Sequence, residues 1–499
     1  MFSIARFRYT ILAQTLFSAT NFLGVLIGVM YRRRTPDLYP KNSHNKIGWI
    51  STWLASLWVA LSVIDVYVKY NSRNHTDNQT TYPLNTLDIT QYSPLESDHR
   101  NSACQDGDCS QWEQQPLNHL DGNRHTWALW SDSTLREGDF SDDDEGDINL
   151  PTGTVHESNN DNQFLQRIAV RFAGNRSYIL LRLPYLVLDR TVLFLGFVAF
   201  ASGTVVYGGI GRGNHVFNVL AHYIKGAIFV WYGLLTLGRW MGMFADFGWA
   251  WNVKPSKEVV GSWSAAVPSA EFTESFVIFL YGASNVFLEH LASPGKPWSA
   301  RDLEHVAISI MFFGGGLLGM FIESKKLRKL LSTSMIVKRE YLVPTAIESN
   351  MWERPFSWKV PMNLMPSLVI LLLGLMMSGH HQESMLSAMI HKQWGLLFSG
   401  FALSRSATYM LLYVHPPSSY LPLRPHTETV ASFCLISGGI AFILSNKDTV
   451  AAMEYYGMDA MFTLAVTVGL TGLTMAWAVF VCAVKGWATE FEQLRSKTD

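Results

Sequence analysis

Two acid–imidazole pairs, Glu289-His290 and Glu304-His305, bracket the polar turn LASPGKPWSARD between the apolar runs Phe276 to Leu291 and Val306 to Ile322. Further along come His380, His381, Glu383 and His391. A neutral imidazole nitrogen binds zinc, copper or iron, and a carboxylate behind the ring fixes the tautomer that presents it. His290, His305, one of His380 and His381, and His391 leave four separate helix ends, so a three- or four-ligand site for a transition metal is expected there, with Glu289, Glu304 and Glu383 as its acids. Histidines at a membrane interface that only bond frayed helix ends and head groups satisfy the same pattern, and both readings stand. His215 and His222 lie seven residues apart, on one helix face with Lys225 and Arg239 further along. Haem ligation would need a partner histidine on another helix at matching depth; a hydrogen-bonding role needs none.

The elements that must position these groups are membrane helices. Of 499 residues, 48% are hydrophobic and 16% charged, against the quarter charged in an average soluble domain. The charges are segregated, leaving apolar segments of about 20 residues, the length that crosses about 30 Å of hydrocarbon. Helices are expected over 11–30, 47–68, 185–208, 216–243, 273–291, 305–323, 361–379, 390–413, 429–446 and 461–486, giving an all-α polytopic bundle. The opening MFSIARFRY reads as the exit from a helix preceding this chain. Residues 71–177 form a polar block with the run Ser141-Asp142-Asp143-Asp144-Glu145, too poor in apolar side chains to offset ordering entropy, so a disordered insertion is expected. The organisation expected is thus an N-terminal two-helix part (1–70), the insertion (71–177), a C-terminal membrane domain (178–487) and a polar tail (488–499).

Ten crossings place the loops at 31–46, 209–215, 292–304, 380–389 and 447–460 on one face, X, and the loops at 247–272 and 324–360 on the other, Y. Eight of the ten histidines outside the insertion fall on or near X. The lysines and arginines of 324–360 favour Y as the cytosolic side, while Arg32 to Arg34, Lys41 and Lys46 on X count the other way, and both orientations stand. Charges inside the spans are the second informative set: Asp65, Asp189, Arg190, Lys225, Arg239, Glu274 and Arg405. A charge at a helix centre costs about 2.5–3.5 kcal/mol on the insertion scale, so the deep ones should face the bundle interior and pair. Arg405 is the deepest and has no evident partner; Asp189, Arg190 and Glu274 sit near helix ends, where snorkelling would satisfy them. Glycines 314, 315, 316 and 319 in MFFGGGLLGM should form a helix-packing face. A net charge of -1 argues against a nucleic-acid partner and leaves the lipid bilayer as the one partner the composition implies. Four cysteines are too few for a disulfide framework.

The segments TPDLYPKNSHNKIGW, LDRTVLFLGFVAFASGTVVYGGI, FLEHLASPGKPWSARDLEHVAISIMFFGGGLLGMFIES and SGHHQESMLSAMIHKQWGLLFSGFALSR resemble the fungal YTP-like integral membrane family over residues 1–70 and about 178–487. That resemblance implies a multi-pass protein of a fungal endomembrane or plasma membrane, with kinship to electron-transport membrane proteins, and brings no biochemical activity with it. The first half is also similar to cytochrome b561-type bundles, in which each of four helices supplies a haem-ligating histidine. His44 fits their His-x-x-x-Gly helix start, and on this likeness His44, His215 and His222 are the candidate cofactor residues. Gln14 stands where such a bundle carries a histidine and Asp189-Arg190 open the helix at 185–208, departures that exclude two haems and count against even one. Three functions follow as expectations: a membrane protein holding a transition metal at its His/Glu cluster, a b561-like oxidoreductase, or a transporter.

Overall fold

A computed structural model describes residues 9–34, 39, 43–79, 175–288, 297–342 and 362–495. Glu289, His290 and most of the polar insertion lie outside them. The described part is helical throughout: α1 (Thr10–Arg34), α2 (His44–Gln79), α3 (Asn175–Gly208), α4 (Val216–Met241), α5 (Lys257–Ala266), α6 (Ala270–Leu288), α7 (Ala300–Glu323), α8 (Lys325–Leu342), α9 (Met365–Ser378), α10 (Met385–Val414), α11 (His426–Leu444), α12 (Lys447–Tyr455) and α13 (Ala460–Arg495). Each of the ten expected spans coincides with one of these, while α5, α8 and α12 are connectors. Among the described residues, seven helices are long and apolar enough to cross a membrane by themselves. The other three depart for visible reasons. Two acids stand at the start of α6, α9 has only 14 residues, and α10 carries His391, Lys392 and Arg405 along its 30.

Local chemistry sets the helix starts. The turn LASPGKPWSARD ends in a capping box: Ser299 Oγ accepts the Asp302 N–H at 3.2 Å, and Asp302 Oδ2 accepts the Ser299 N–H at 2.9 Å. Ser384 likewise caps α10 by accepting the Ser387 N–H at 3.1 Å.

By internal contacts the chain falls into two compact units, Met1–Val59 with Val187–Asp499, and Ala60–Leu186. In the first, α10 and α11 pack together at the centre, α4 lies on α11, α9 on α10, and α6 pairs with α7. Trp394, Phe398, Phe401, Leu435 and Ile436 are fully buried there. The expected glycine face is present on α7. A Cβ at Gly316 would run into the backbone of Phe279 and Ser275, one at Gly315 into Val369, and one at Gly319 into Ser275, whereas Gly314 faces open space. Gly282 of α6 returns the contact against the Phe312 and Phe313 backbone, so α6 and α7 cross at backbone distance.

Ties between loops respect the alternation of ten crossings. Loops assigned to X meet one another through His215–Asp448, Lys447–Glu383 and His380–Glu304. Those assigned to Y meet through the Val253 N–H on the Ser419 carbonyl at 2.9 Å.

Candidate functional site

On face X the structure brings some of the expected ligands together. The His305 and His380 rings are 5.8 Å apart, and His380 Nδ1 lies 2.7 Å from Glu304 Oε2. His381 is exposed, and Glu383 pairs with Lys447 Nζ at 2.7 Å. His391 is buried, and its Nδ1 is 2.8 Å from the Ser387 carbonyl. Its ring meets His222 edge-on at 6.5 Å, which supplies His222 with a histidine on another helix at matching depth. His222 Nδ1 is tied in the same way, 2.8 Å from the Asn218 carbonyl. His44 is 2.9 Å from Ser202 Oγ. Among the described residues, no three His, Cys, Asp or Glu side chains gather closely enough to hold a metal ion.

His215 is engaged in a polar latch. Asp448 lies 2.5 Å from its Nδ1 through Oδ1, and through Oδ2 accepts the Gly211 N–H at 2.6 Å. Partial burial pushes the Asp448 carboxyl up, but the Gly211 N–H, the His215 contact and the Arg212 charge outweigh it, so its pKa falls below the ordinary 3.8. A depressed carboxylate stabilises the fold above its unfolded pKa, and that contribution is lost only as pH falls through the lower folded value. Protection of the Gly211 amide against exchange, relative to its intrinsic rate at each pH, should therefore persist through pH 4 and fall below it, while Asp448→Asn should lower that protection at neutral pH. Equal exchange in both proteins would remove the latch.

The larger constellation lies toward Y, where α4, α6, α10 and α11 end around the 242–256 loop. Arg239, 1% exposed, donates from Nη1 to Glu274 at 2.7 Å, from Nη2 to Glu271 at 2.9 Å and from Nε to the Trp249 carbonyl at 2.7 Å. Arg405, also 1% exposed, places Nε 2.9 Å from Glu428 Oε1 and Nη1 3.3 Å from Glu274 Oε2. Thr408 donates to Glu428 at 2.7 Å and Tyr409 to Glu271 at 3.4 Å. Both guanidinium groups lie over the Trp251 ring, at 4.2 and 5.1 Å, where the negative face of the indole attracts them. Trp251 itself holds a left-handed φ of 58°, an uncommon state for a bulky residue. Asn252 supports that turn, accepting the Ala250 N–H and donating to the Ala245 and Tyr420 carbonyls.

These geometries answer two expectations. Arg405 does pair inside the bundle, with Glu274 and Glu428. Glu274 does not snorkel: it is 7% exposed and bridges both arginines, because the 242–256 loop closes over the helix end that would otherwise open to water. Glu271 and Glu428 were not singled out from sequence. Glu271 stands three residues before Glu274, hence on the same helix face, and Glu428 is a lone acid in the first turn of an otherwise apolar helix; those were the available signals. In the finished cluster two guanidinium groups meet three carboxylates. Glu428 Oε2 is buried there without a hydrogen-bond partner among the described residues, and the Tyr232 hydroxyl is buried beside Glu274.

One side of the cluster opens on a cavity of about 1280 Å³. Its wall follows α4 from Val216 to Leu235 and α6 from Ala270 to Asn285. At 1.5 Å per residue the α6 side alone runs about 22 Å, most of a bilayer's apolar thickness. Glu274, Thr273 and Tyr232 mark its Y end, and His305, Asn285 and Arg212 its X end, with Lys225 between and apolar side chains over most of the remainder.

Fold and site together define a multi-pass helical membrane protein with an internal ion-pair cluster and an intramembrane cavity. The chain belongs to the YTP1-like family: the family model described as Protein YTP1-like, C-terminal, matches residues 195–486, and a domain of unknown function, DUF2427, matches residues 1–68. It is 38% identical over 309 residues to an uncharacterized membrane protein of Schizosaccharomyces pombe, covering 62% of this chain and 60% of that one. It is 36% identical over 308 residues to an uncharacterized membrane protein of Saccharomyces cerevisiae, covering 58% and 46%, and 25% identical over 285 residues to the protein YTP1 of the same yeast, covering 57% and 50%. The chain thus spans about half the length of the curated relatives it matches. No solved structure matches it.

Proposed function

We propose that the chain is a carrier that moves a small amphipathic solute across the bilayer through the cavity between α4 and α6. The observation that carries this reading is the cavity itself. It runs along most of α4 and α6, is apolar along its walls, and has a carboxylate at one end, Arg212 at the other and Lys225 between them. An apolar lining with a few placed polar groups is how ligand sites orient a bound molecule. The ion-pair cluster holds Glu274 at the cavity end, and the Tyr232 hydroxyl beside it offers a further polar point. In proteoliposomes, full-length protein should transport some member of a set of fluorescent amphiphiles of differing head-group charge. Ile278→Trp, which fills the cavity without removing a charge, should lower that flux about tenfold, equivalent to 1.4 kcal/mol. Glu274→Gln should change which head-group charge is preferred. Absence of flux for every probe, or flux indifferent to Ile278→Trp, would sink the reading.

A second reading, a bound transition metal, is favoured by His222 and His391. With each Nδ1 on the carbonyl four residues back, Nε2 is the basic nitrogen of each ring. Elemental analysis of the purified protein decides it. Stoichiometric metal that disappears in His391→Ala supports the site, and a metal-free native protein removes it.

A further inference from the structure

Helix α8 follows the last residue of α7 after a single extended residue, Ser324 (φ −68°, ψ 110°), so it does not continue the axis of that span. Its sequence, KKLRKLLSTSMIVKREYL, is strongly amphipathic. At 100° per residue, Leu327, Leu330 and Leu331 fall on one arc of the first two turns, while Lys325, Arg328 and Lys329 fall on the opposite one and Lys326 lies on the flank between them. Six basic residues stand against one acid, Glu340. Leu330 and Leu331 are 68% and 74% exposed, and Lys325, Lys326 and Lys329 are exposed as well. Arg328 reaches back to the Glu323 carbonyl at 3.4 Å, which ties the first turn to the end of the span.

A second segment on the same face adds charge. Lys254 donates to the Val267 carbonyl at 2.6 Å, and first burial and then the nearby Lys325 charge hold its ammonium below the ordinary lysine value. Lys257 opens α5, whose Trp263 is 68% exposed. Tryptophan is enriched at membrane–water interfaces. Cations, exposed leucines and an exposed indole thus occupy the Y end of the bundle, next to a helix that has just left the apolar layer.

We infer that α8 is an interfacial helix whose cationic arc, with Lys254 and Lys257, binds the anionic head groups of the leaflet on face Y. The partner is a negatively charged lipid surface. An acidic protein would meet the charge, but the leucine arc adjoining a span is already placed at the acyl boundary, where a surface helix buries its apolar side. This inference is independent of the carrier reading.

The test uses the full chain in nanodiscs, with Leu331→Cys carrying an environment-sensitive fluorophore and the native cysteines replaced. Adding phosphatidylserine to phosphatidylcholine should shift the emission to the blue, and high salt should reverse the shift. Each basic residue near an anionic surface contributes about 1 kcal/mol, so K325Q/K326Q/K329Q should lower the docked-to-undocked ratio roughly a hundredfold in the phosphatidylserine discs. Emission identical in both lipids overturns the inference. So does a shift produced only by an added soluble polyglutamate, which would assign the surface to an acidic protein.

Discussion

Arg405→Ala is expected to be among the most destabilising single substitutions in the chain, costing about 3–5 kcal/mol, the range for removing one partner of a buried ion pair. The reason is what it strands. Glu428 is 0% exposed and loses the guanidinium 2.9 Å from its Oε1, while Glu274 loses one of the two arginines it bridges. Against a typical total stability of about 5–15 kcal/mol, that loss should appear directly in the chemical unfolding midpoint of detergent-solubilised protein. Arg405→Lys should recover only part of it. A single ammonium lacks the planar fork that addresses Glu428 through one nitrogen and Glu274 through another. Adding Glu428→Gln to Arg405→Ala should make the double variant milder than the two single costs summed, because the stranded charge is gone. Strict additivity would show that the two residues do not form a working pair.

Gly316→Leu should wedge α6 away from α7 at a cost of about 3 kcal/mol or more, whereas Gly314→Leu, two residues away, should change stability by less than about 0.5 kcal/mol. At 316 the added carbon meets main-chain atoms of Phe279 and Ser275, which cannot rotate aside as a side chain can. Overpacking commonly costs about 1–3 kcal/mol, and a backbone obstacle places this case at or beyond the upper end. Gly282, pressed against the Phe312 and Phe313 backbone, is the reciprocal position and should behave like Gly316. Size-exclusion profiles and unfolding midpoints of the three variants give the comparison. Similar behaviour of the 314 and 316 variants would refute the close crossing.

Much of the architecture was legible before any coordinates. Apolar run length marked the seven helices that can cross a membrane by themselves and the apolar cores of α6, α9 and α10, because the cost of burying polar groups in hydrocarbon enforces a local and nearly context-free composition. The glycine run announced a packing face, since that effect acts within a few residues, whereas the Ser299–Asp302 capping box starts α7 at Ala300, five residues before the expected 305. The same logic flagged Arg239 and Arg405 as charges to be resolved inside the bundle, but it left Glu274 to snorkel from its helix end. The long family-bearing segments, each many residues of specific sequence, carried the YTP-like resemblance that the comparisons then showed.

What local pattern could not reach was pairing. Arg405 and Glu274 are 131 residues apart in sequence, and no periodicity on α10 says which helix will lie against it. The closure of the 242–256 loop, with Trp251 turned into a left-handed conformation over two guanidinium groups, is likewise a tertiary event. It converted Glu274 from a residue free to reach water into a buried bridge. Histidine content alone pointed to face X, but only packing put His391 beside His222 and His380 beside Glu304. Amino-acid order by itself determined which segments are apolar enough to enter the membrane and which charges such a crossing must hide, because transfer free energy is a property of each segment alone. The tertiary structure decided which charges hide together and which space they leave open, because an ion pair's energy depends on a separation of a few ångströms between helices remote in sequence.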